Sequence, residues 1–303
     1  MNRRIQNLIE NAVRESMQNL LYEDNSHVNS MRGKSDDDFY TKPEYVANEL
    51  DNGGYEPYFR GKRVYVPCIV SKNDAFWRCL TERFSSWGMR DLIGLVYQDG
   101  RVIRFKDGRT STAGYVDSGD YLGPDSEEIM EQCDIVVTNP PYSNNGTGAL
   151  IRKCVEMGKG FLILGSHLSW QHPSIKNLLL NGDIWLGITR SKRMMFGRPD
   201  GMPDKGMSSH FYTNIGEPRY PEFANTLKRN YEEGEYDFDQ SGDYLMVDKV
   251  KDIPSDYYNP MRVPQSFISS YNPDEFEILG DAGKITRSDG TDVFMPLAIK
   301  RRR

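Results

Sequence analysis

The chain has 303 residues with 38 Lys and Arg against 44 Asp and Glu, a net charge of −6, which argues against a globally basic nucleic-acid coat or a polybasic membrane binder. Hydrophobic residues at 38% and aromatic ones at 12% suffice for a core and are too many for a disordered chain. No apolar run nears the roughly 20 residues that span a bilayer, and the N-terminus lacks a signal peptide's apolar stretch, so a soluble, cytoplasmic chain with no membrane partner is expected.

In chain order, Ile5, Leu8, Ile9, Ala12, Val13, Met17, Leu20 and Leu21 recur at three- and four-residue spacing. They predict an amphipathic helix, which with the polar linker after it forms an appendage over residues 1–35. Beyond it, apolar runs predict strands at Arg63 to Cys68, Leu92 to Tyr97, Ile135 to Thr138, Gly160 to Leu164, Ile184 to Ile188 and Phe211 to Ile215. Helices are predicted at Lys42 to Leu50, Ala75 to Trp87, Ser126 to Cys133, Thr147 to Met157 and Pro173 to Leu180. Such alternation over residues 36–216 is the pattern of a doubly wound, mostly parallel α/β sheet with helices on both faces. VIRF, between Gly100 and Gly108, suggests an extra hairpin. From Glu217 onward prolines, tyrosines and acids dominate and the alternation fails, which predicts a loop-rich C-terminal extension over 217–303 with a flexible basic tail at Lys300 to Arg303.

The four cysteines (Cys68, Cys79, Cys133, Cys154) lack CxxC spacing, and His167 and His172 are five apart beside a proline. Reduced, buried thiols and no structural metal are expected.

The stretch that carries chemistry is Asp134 to Ser143, DIVVTNPPYS: a hydrophobic strand, then Asn139, Pro140, Pro141 and Tyr142. The prolines fix φ and hold the preceding residue extended, so the chain leaves the strand as a rigid arm with no proline N–H to satisfy. The Asn139 side chain and the carbonyls of Asn139 and Pro140 are then free to face a ligand. An amide oxygen beside a backbone carbonyl suits a planar NH₂ group with two hydrogens to place, such as an exocyclic base amine. Holding both hydrogens draws that nitrogen toward tetrahedral geometry and makes its lone pair nucleophilic. Tyr142 can stack on a base extracted from the duplex. The competing reading is a Pro-Pro strand exit with a capping Asn and a core Tyr.

NPPY after a hydrophobic strand resembles the catalytic motif of amino-methyltransferases. More of the chain resembles the EcoRI-type adenine-specific DNA methyltransferase family: DDDFYT at Asp36 to Thr41, FLIL at Phe161 to Leu164, IWLG at Ile184 to Gly187, KDIPSDYYNPMRVPQSF at Lys251 to Phe267 and NPDEFE at Asn272 to Glu277. The resemblance runs from about residue 36 to 279. It implies a seven-stranded, Rossmann-like methyltransferase sheet with S-adenosylmethionine and the target base at the C-terminal strand ends, where open α/β sheets bind ligands. It also implies a flipped adenine in double-stranded DNA as substrate, with Asn139, Pro140 and Tyr142 catalytic. Phe39, Tyr40 and Thr41 would lie beside the cofactor's methionine part, with Cys68 at the first strand end and Asn139 nearby. Asp99 would take the ribose hydroxyls, and Asp120 with Tyr121 the adenine. The family's Gly-rich or Asp-Asp-Pro segment after the first strand is replaced here by VYVPCIVSKNDAFW, Val64 to Trp77, which has neither GxG nor an acid at the strand end. Two alternatives stay open: a catalytically silent DNA-binding relative, and a methyltransferase acting on RNA or a protein amide.

Thr189 to Asp204, TRSKRMMFGRPDGMPD, follows the strand predicted at Ile184 to Ile188. Arg190, Lys192, Arg193 and Arg198 are expected to meet DNA phosphates, with Phe196 and its methionine neighbours wedged into the stack left by the flipped base. The alternative is a solvated basic loop. The C-terminal extension is a candidate contributor to DNA recognition.

Overall fold

The computed structural model describes residues 40–70, 73–97, 99–141, 146–190, 193–198, 203–221, 230–281, 284–294 and 297–303. The N-terminal helix expected from Ile5 to Leu21 lies outside the described residues. The chain divides into two compact units between Pro218 and Arg219. No helix among the described residues is long and apolar enough to cross a membrane.

In the first unit, helix α1 (Pro43–Asn52) starts at a proline whose fixed φ suits the first helical position. It buries Val46, Glu49 and Leu50. A short turn, α2 (Glu56–Phe59), leads to β1 (Arg63–Ile69), a run buried at every position after Arg63. Helix α3 (Ala75–Arg83) is capped by Asp74, whose carboxylate accepts the amides of Phe76 and Trp77. There follow β2 (Asp91–Val96), β3 (Arg101–Lys106), β4 (Arg109–Tyr115), α4 (Pro124–Glu131), β5 (Ile135–Thr138), α5 (Gly146–Glu156) and β6 (Gly160–Ser166). A 3-10 turn over His167–Gln171 and α6 (Pro173–Asn181) precede β7 (Trp185–Leu186), β8 (Arg193–Phe196) and β9 (Lys205–Thr213).

The strands form one sheet in the order β4-β3-β2-β1-β5-β6-β9-β7, with β8 also paired to β9. β2, β1, β5 and β6 run parallel, whereas β9 is antiparallel to β6, β7 and β8. Against the seven strands that the resemblance implies, the sheet has nine among the described residues. The excess arises at the edges: the hairpin at Gly100 to Gly108 opens into antiparallel β3 and β4, and the expected basic loop contains β8. Alternate facing sorts the buried residues of the central strands. Val64, Val66, Ile135, Val137, Leu162 and Leu164 share one core cluster with Val46 and Leu50 of α1 and Phe76 and Leu80 of α3. Tyr65, between them, points the other way and meets Ser126 of α4. Helices therefore cover both faces, and the parallel strands direct their C-terminal ends to one edge.

The second unit is more ordered than its proline-rich sequence suggests. It holds a four-stranded sheet in the order β10 (Leu245–Met246), β11 (Met261–Val263), β15 (Leu297–Arg301), β12 (Phe276–Asp281), and a hairpin of β13 (Lys284–Thr286) and β14 (Asp292–Phe294). Met261, Val263, Phe267, Phe276 and Ile299 are fully buried. The basic end is no free tail: Lys300 and Arg301 pair with Glu277 and Phe276, and the Arg302 amide donates to the Glu275 carbonyl.

Candidate active site

All four residues of β5 are buried, and the register places Val64 and Tyr65 of β1 beside Ile135 and Val136. The two strands leave the sheet together. The Thr138 hydroxyl donates to the Pro67 carbonyl at 2.5 Å, tying the exit of β5 to that of β1. Asn139 is next, followed by buried Pro140 and half-buried Pro141. Its Nδ2 donates to Thr41 Oγ1 at 2.9 Å. Its Oδ1 is buried and accepts no hydrogen bond from the described residues, a costly state for a polar atom unless a ligand group completes it. Tyr142 and Phe39 lie outside the described residues. Tyr40 exchanges two backbone hydrogen bonds with Gly197, both 2.9 Å, so the FYT segment and the Asn-Pro-Pro arm, read separately from sequence, meet at Thr41.

The end of β1 has an unusual backbone. Cys68 adopts φ +66° without being glycine, a left-handed conformation that costs an ordinary side chain on the order of 1 kcal/mol or more. The register of β1 on β2 slips between Val66 and Ile69 around it. The left-handed conformation that glycine would favour is thus taken by a buried cysteine at an irregularity within β1. Burial pushes this thiol well above its ordinary pKa against a hydrogen bond with Thr138, and the Asp74 and Asp120 carboxylates push it further the same way. Burial likewise raises the Asp74 carboxyl to about 6, opposed by the amides of Trp77, Phe76 and Val70.

Tyr121 is buried with its ring 6.4 Å from that of Tyr97, at the end of β2. Its backbone is fixed from below. Ser126 Oγ donates to the Tyr121 carbonyl at 2.8 Å and lies 2.9 Å from the Tyr65 hydroxyl. A Cβ at Gly146, the first residue of α5, would lie 2.1 Å from the Tyr121 hydroxyl and 2.6 Å from the Pro141 carbonyl. Only glycine lets α5 begin this close to both. Asp120 is exposed and accepts the Leu122 amide at 2.9 Å. Asp99 sits in the β2–β3 turn, and Arg101 takes both of its oxygens, through its amide at 2.8 Å and its guanidinium at 3.1 Å.

Among the expected DNA contacts, Arg193 is exposed on β8, Arg198 is half-buried, and Arg190 Nε donates to the Gly187 carbonyl at 2.9 Å. Lys192 is outside the described residues. Phe196 needs correction as a wedge: it is fully buried with Met194 in the core, because β8 alternates inward and outward residues. Met195 is the exposed apolar residue of this strand, and its amide donates to the Tyr45 hydroxyl at 3.0 Å.

Sequence reasoning missed Glu49. This fully buried carboxylate accepts the Tyr55 hydroxyl at 2.8 Å and the amides of Ile188 at 3.0 Å and Thr189 at 2.8 Å. It anchors the start of the basic segment to α1. Lys42 and Asp204, 2.5 Å apart, join the same two regions again.

Parallel strands ending at one edge, an antiparallel β9 inserted between β6 and β7, and Asn-Pro-Pro at the exit of a central strand make this a Rossmann-like methyltransferase fold. The model for the family described as adenine-specific methyltransferase EcoRI matches residues 27–116 and 110–295, and the chain belongs to that family. It is 28% identical over 275 residues to the Type II methyltransferase M.MgeORF184P of Mycoplasma genitalium, covering 84% of this chain and 85% of the relative. With M.MpnI of Mycoplasma pneumoniae the identity is 26% over the same shares of the two chains. With M.EcoRI of Escherichia coli it is 25% over 295 residues, covering 84% of this chain and 89% of the relative.

Proposed function

We propose that the protein transfers a methyl group from S-adenosylmethionine to the 6-amino group of an adenine extruded from double-stranded DNA. The observation that carries this reading is the buried Oδ1 of Asn139 at the exit of β5, unpartnered among the described residues. A buried acceptor left without a hydrogen bond from the described residues at the C-terminal strand ends suits an amine donor that arrives with the substrate. Membership of an adenine-specific family favours a base amine over a protein amide.

The residues around Cys68 fit the cofactor. An exposed carboxylate at Asp120 beside the half-buried Tyr97 ring and the buried Tyr121 ring suits a molecule that combines a cation, sugar hydroxyls and a purine. When bound, S-adenosylmethionine supplies an electrophilic methyl carbon on a positively charged sulfur. The chain's own part is to prepare the nucleophile. Asn139 Oδ1 and the Pro140 carbonyl each take one hydrogen of the adenine amine, so its nitrogen is drawn toward tetrahedral geometry and its lone pair is exposed. No ionised base is needed before attack, and the proton freed afterwards leaves to water. On sequence grounds, stacking on the extruded base falls to Tyr142.

The reading is tested by incubating the protein with labelled S-adenosylmethionine and duplex DNA, RNA or protein, and by titrating the cofactor calorimetrically. Label in N6-methyladenine of the duplex supports it. Cofactor-dependent label in RNA or protein alone would replace the substrate, and no cofactor binding up to about millimolar concentration would favour a silent relative.

A further inference from the structure

We infer that Thr41 is the positioning residue that fixes which end of the Asn139 amide faces the target amine, rather than only a neighbour of the cofactor. This rests on the adenine reading above. A primary amide presents an acceptor at one end and two donors at the other, and a half-turn about its last torsion exchanges them. With the oxygen toward the substrate the side chain holds an amine hydrogen. With the NH₂ group there, two donors confront each other and the amine cannot be activated. Thr41 Oγ1, 2.9 Å from Asn139 Nδ2, occupies the donor end and leaves Oδ1 buried, with no hydrogen bond from the described residues.

Thr41 is itself held on both sides. Tyr40 is joined to Gly197 by its amide and its carbonyl, Lys42 is paired with Asp204, and Pro43 begins α1. The hydroxyl is therefore presented by a fixed segment that is fastened to the basic segment, and the amide rotates to suit it.

The experiment compares Thr41→Val, nearly isosteric but without the acceptor, with Thr41→Ser, which retains it. Single-turnover methyl transfer at saturating cofactor and DNA should fall by about tenfold in Thr41→Val, the scale of one hydrogen bond. Its cofactor and DNA dissociation constants should match the wild type, and Thr41→Ser should restore the rate. In the cofactor-free protein, the Asn139 side-chain N–H resonances should shift upfield in Thr41→Val and return in Thr41→Ser, with thermal melting confirming that both variants fold. A wild-type rate in Thr41→Val, an unshifted amide resonance, or a loss confined to weaker cofactor binding would overturn the inference. Asn139→Ala, measured alongside, separates the two levels. If it abolishes transfer while Thr41→Val does not, only the positioning role falls; if it leaves transfer intact, the activating role of Asn139 falls as well; and if the wild type places no label in adenine, the adenine reading falls.

Discussion

Glu49 and Thr189 are 140 residues apart in sequence, and the carboxylate of the first accepts the amide of the second at 2.8 Å inside the core. The approach depends on Gly187, where a Cβ would lie 2.1 Å from Glu49 Oε1. Gly187→Ala should therefore destabilise the protein by about 1–3 kcal/mol, through overpacking and disrupted buried hydrogen bonds. Glu49→Gln, which sets an amide NH₂ among N–H donors, should cost a similar amount. Denaturant midpoints of both variants check this, and a wild-type midpoint for either would show that the anchor adds nothing to stability.

Gly146 allows a prediction on activity. Gly146→Ala should push α5 away from the Tyr121 hydroxyl and the Pro141 carbonyl, both too close to admit a Cβ. Turnover should fall by at least about tenfold, because displacements of about 1 Å at a reacting centre carry such costs. Steady-state kinetics on a folded variant decides, and wild-type turnover would show that the Asn-Pro-Pro arm tolerates the shift.

What the sequence made legible follows from local physics. The run IVVT and the prolines after it define β5 and its exit without tertiary information, and helix α1 starts where Pro43 requires. Phe196 was hidden by context: RMMF alternates as a half-buried strand, but the surrounding Arg and Lys residues invite a loop reading. Glu49 carries no signal, since an acid on an amphipathic helix ordinarily faces water and its partners are backbone amides far along the chain. The short strands of the second unit, as brief as Leu245–Met246, offer too few positions for alternation to show. Cys68 is the instructive case. The segment after Val64 has no GxG, yet the backbone adopts at Cys68 the left-handed conformation that glycine would favour, which no residue type in the sequence announces.

Asp74 should leave a mark on the pH dependence of stability. Its folded pKa of about 6 stands above the ordinary value of 3.8, so between these values the folded state binds more protons and the Asp74 contribution to stability falls as pH rises. Asp74→Asn retains an oxygen to cap α3 without the buried charge. Its stability relative to wild type should therefore rise from about pH 4 to about pH 6.5 and then level off. Melting temperatures of the pair across that window test the sign; a difference that shrinks with pH would mean that Asp74 is stabilised as an anion.

The basic segment should contribute a salt-dependent part of DNA affinity. Arg193→Ala combined with Arg198→Ala should weaken binding to any duplex sequence and flatten the slope of log K against log salt by about 0.9 for each phosphate that is no longer neutralised. Arg190, whose Nε is occupied by the Gly187 carbonyl, should matter more for the shape of the segment than for charge. Fluorescence anisotropy over a salt series measures both quantities. An unchanged slope in the double variant would move the DNA surface elsewhere.

On the proposed mechanism, Asn139 activates the target amine and is dispensable for binding. The most direct test of this is single-turnover methyl transfer by Asn139→Ala with duplex DNA, beside calorimetric cofactor binding and the fluorescence of a base analogue at the target position. Transfer should collapse while cofactor affinity, DNA affinity and base extrusion persist, a loss confined to the transition state. Wild-type transfer by a folded Asn139→Ala protein, or a loss traced wholly to weaker binding of either ligand, would contradict it.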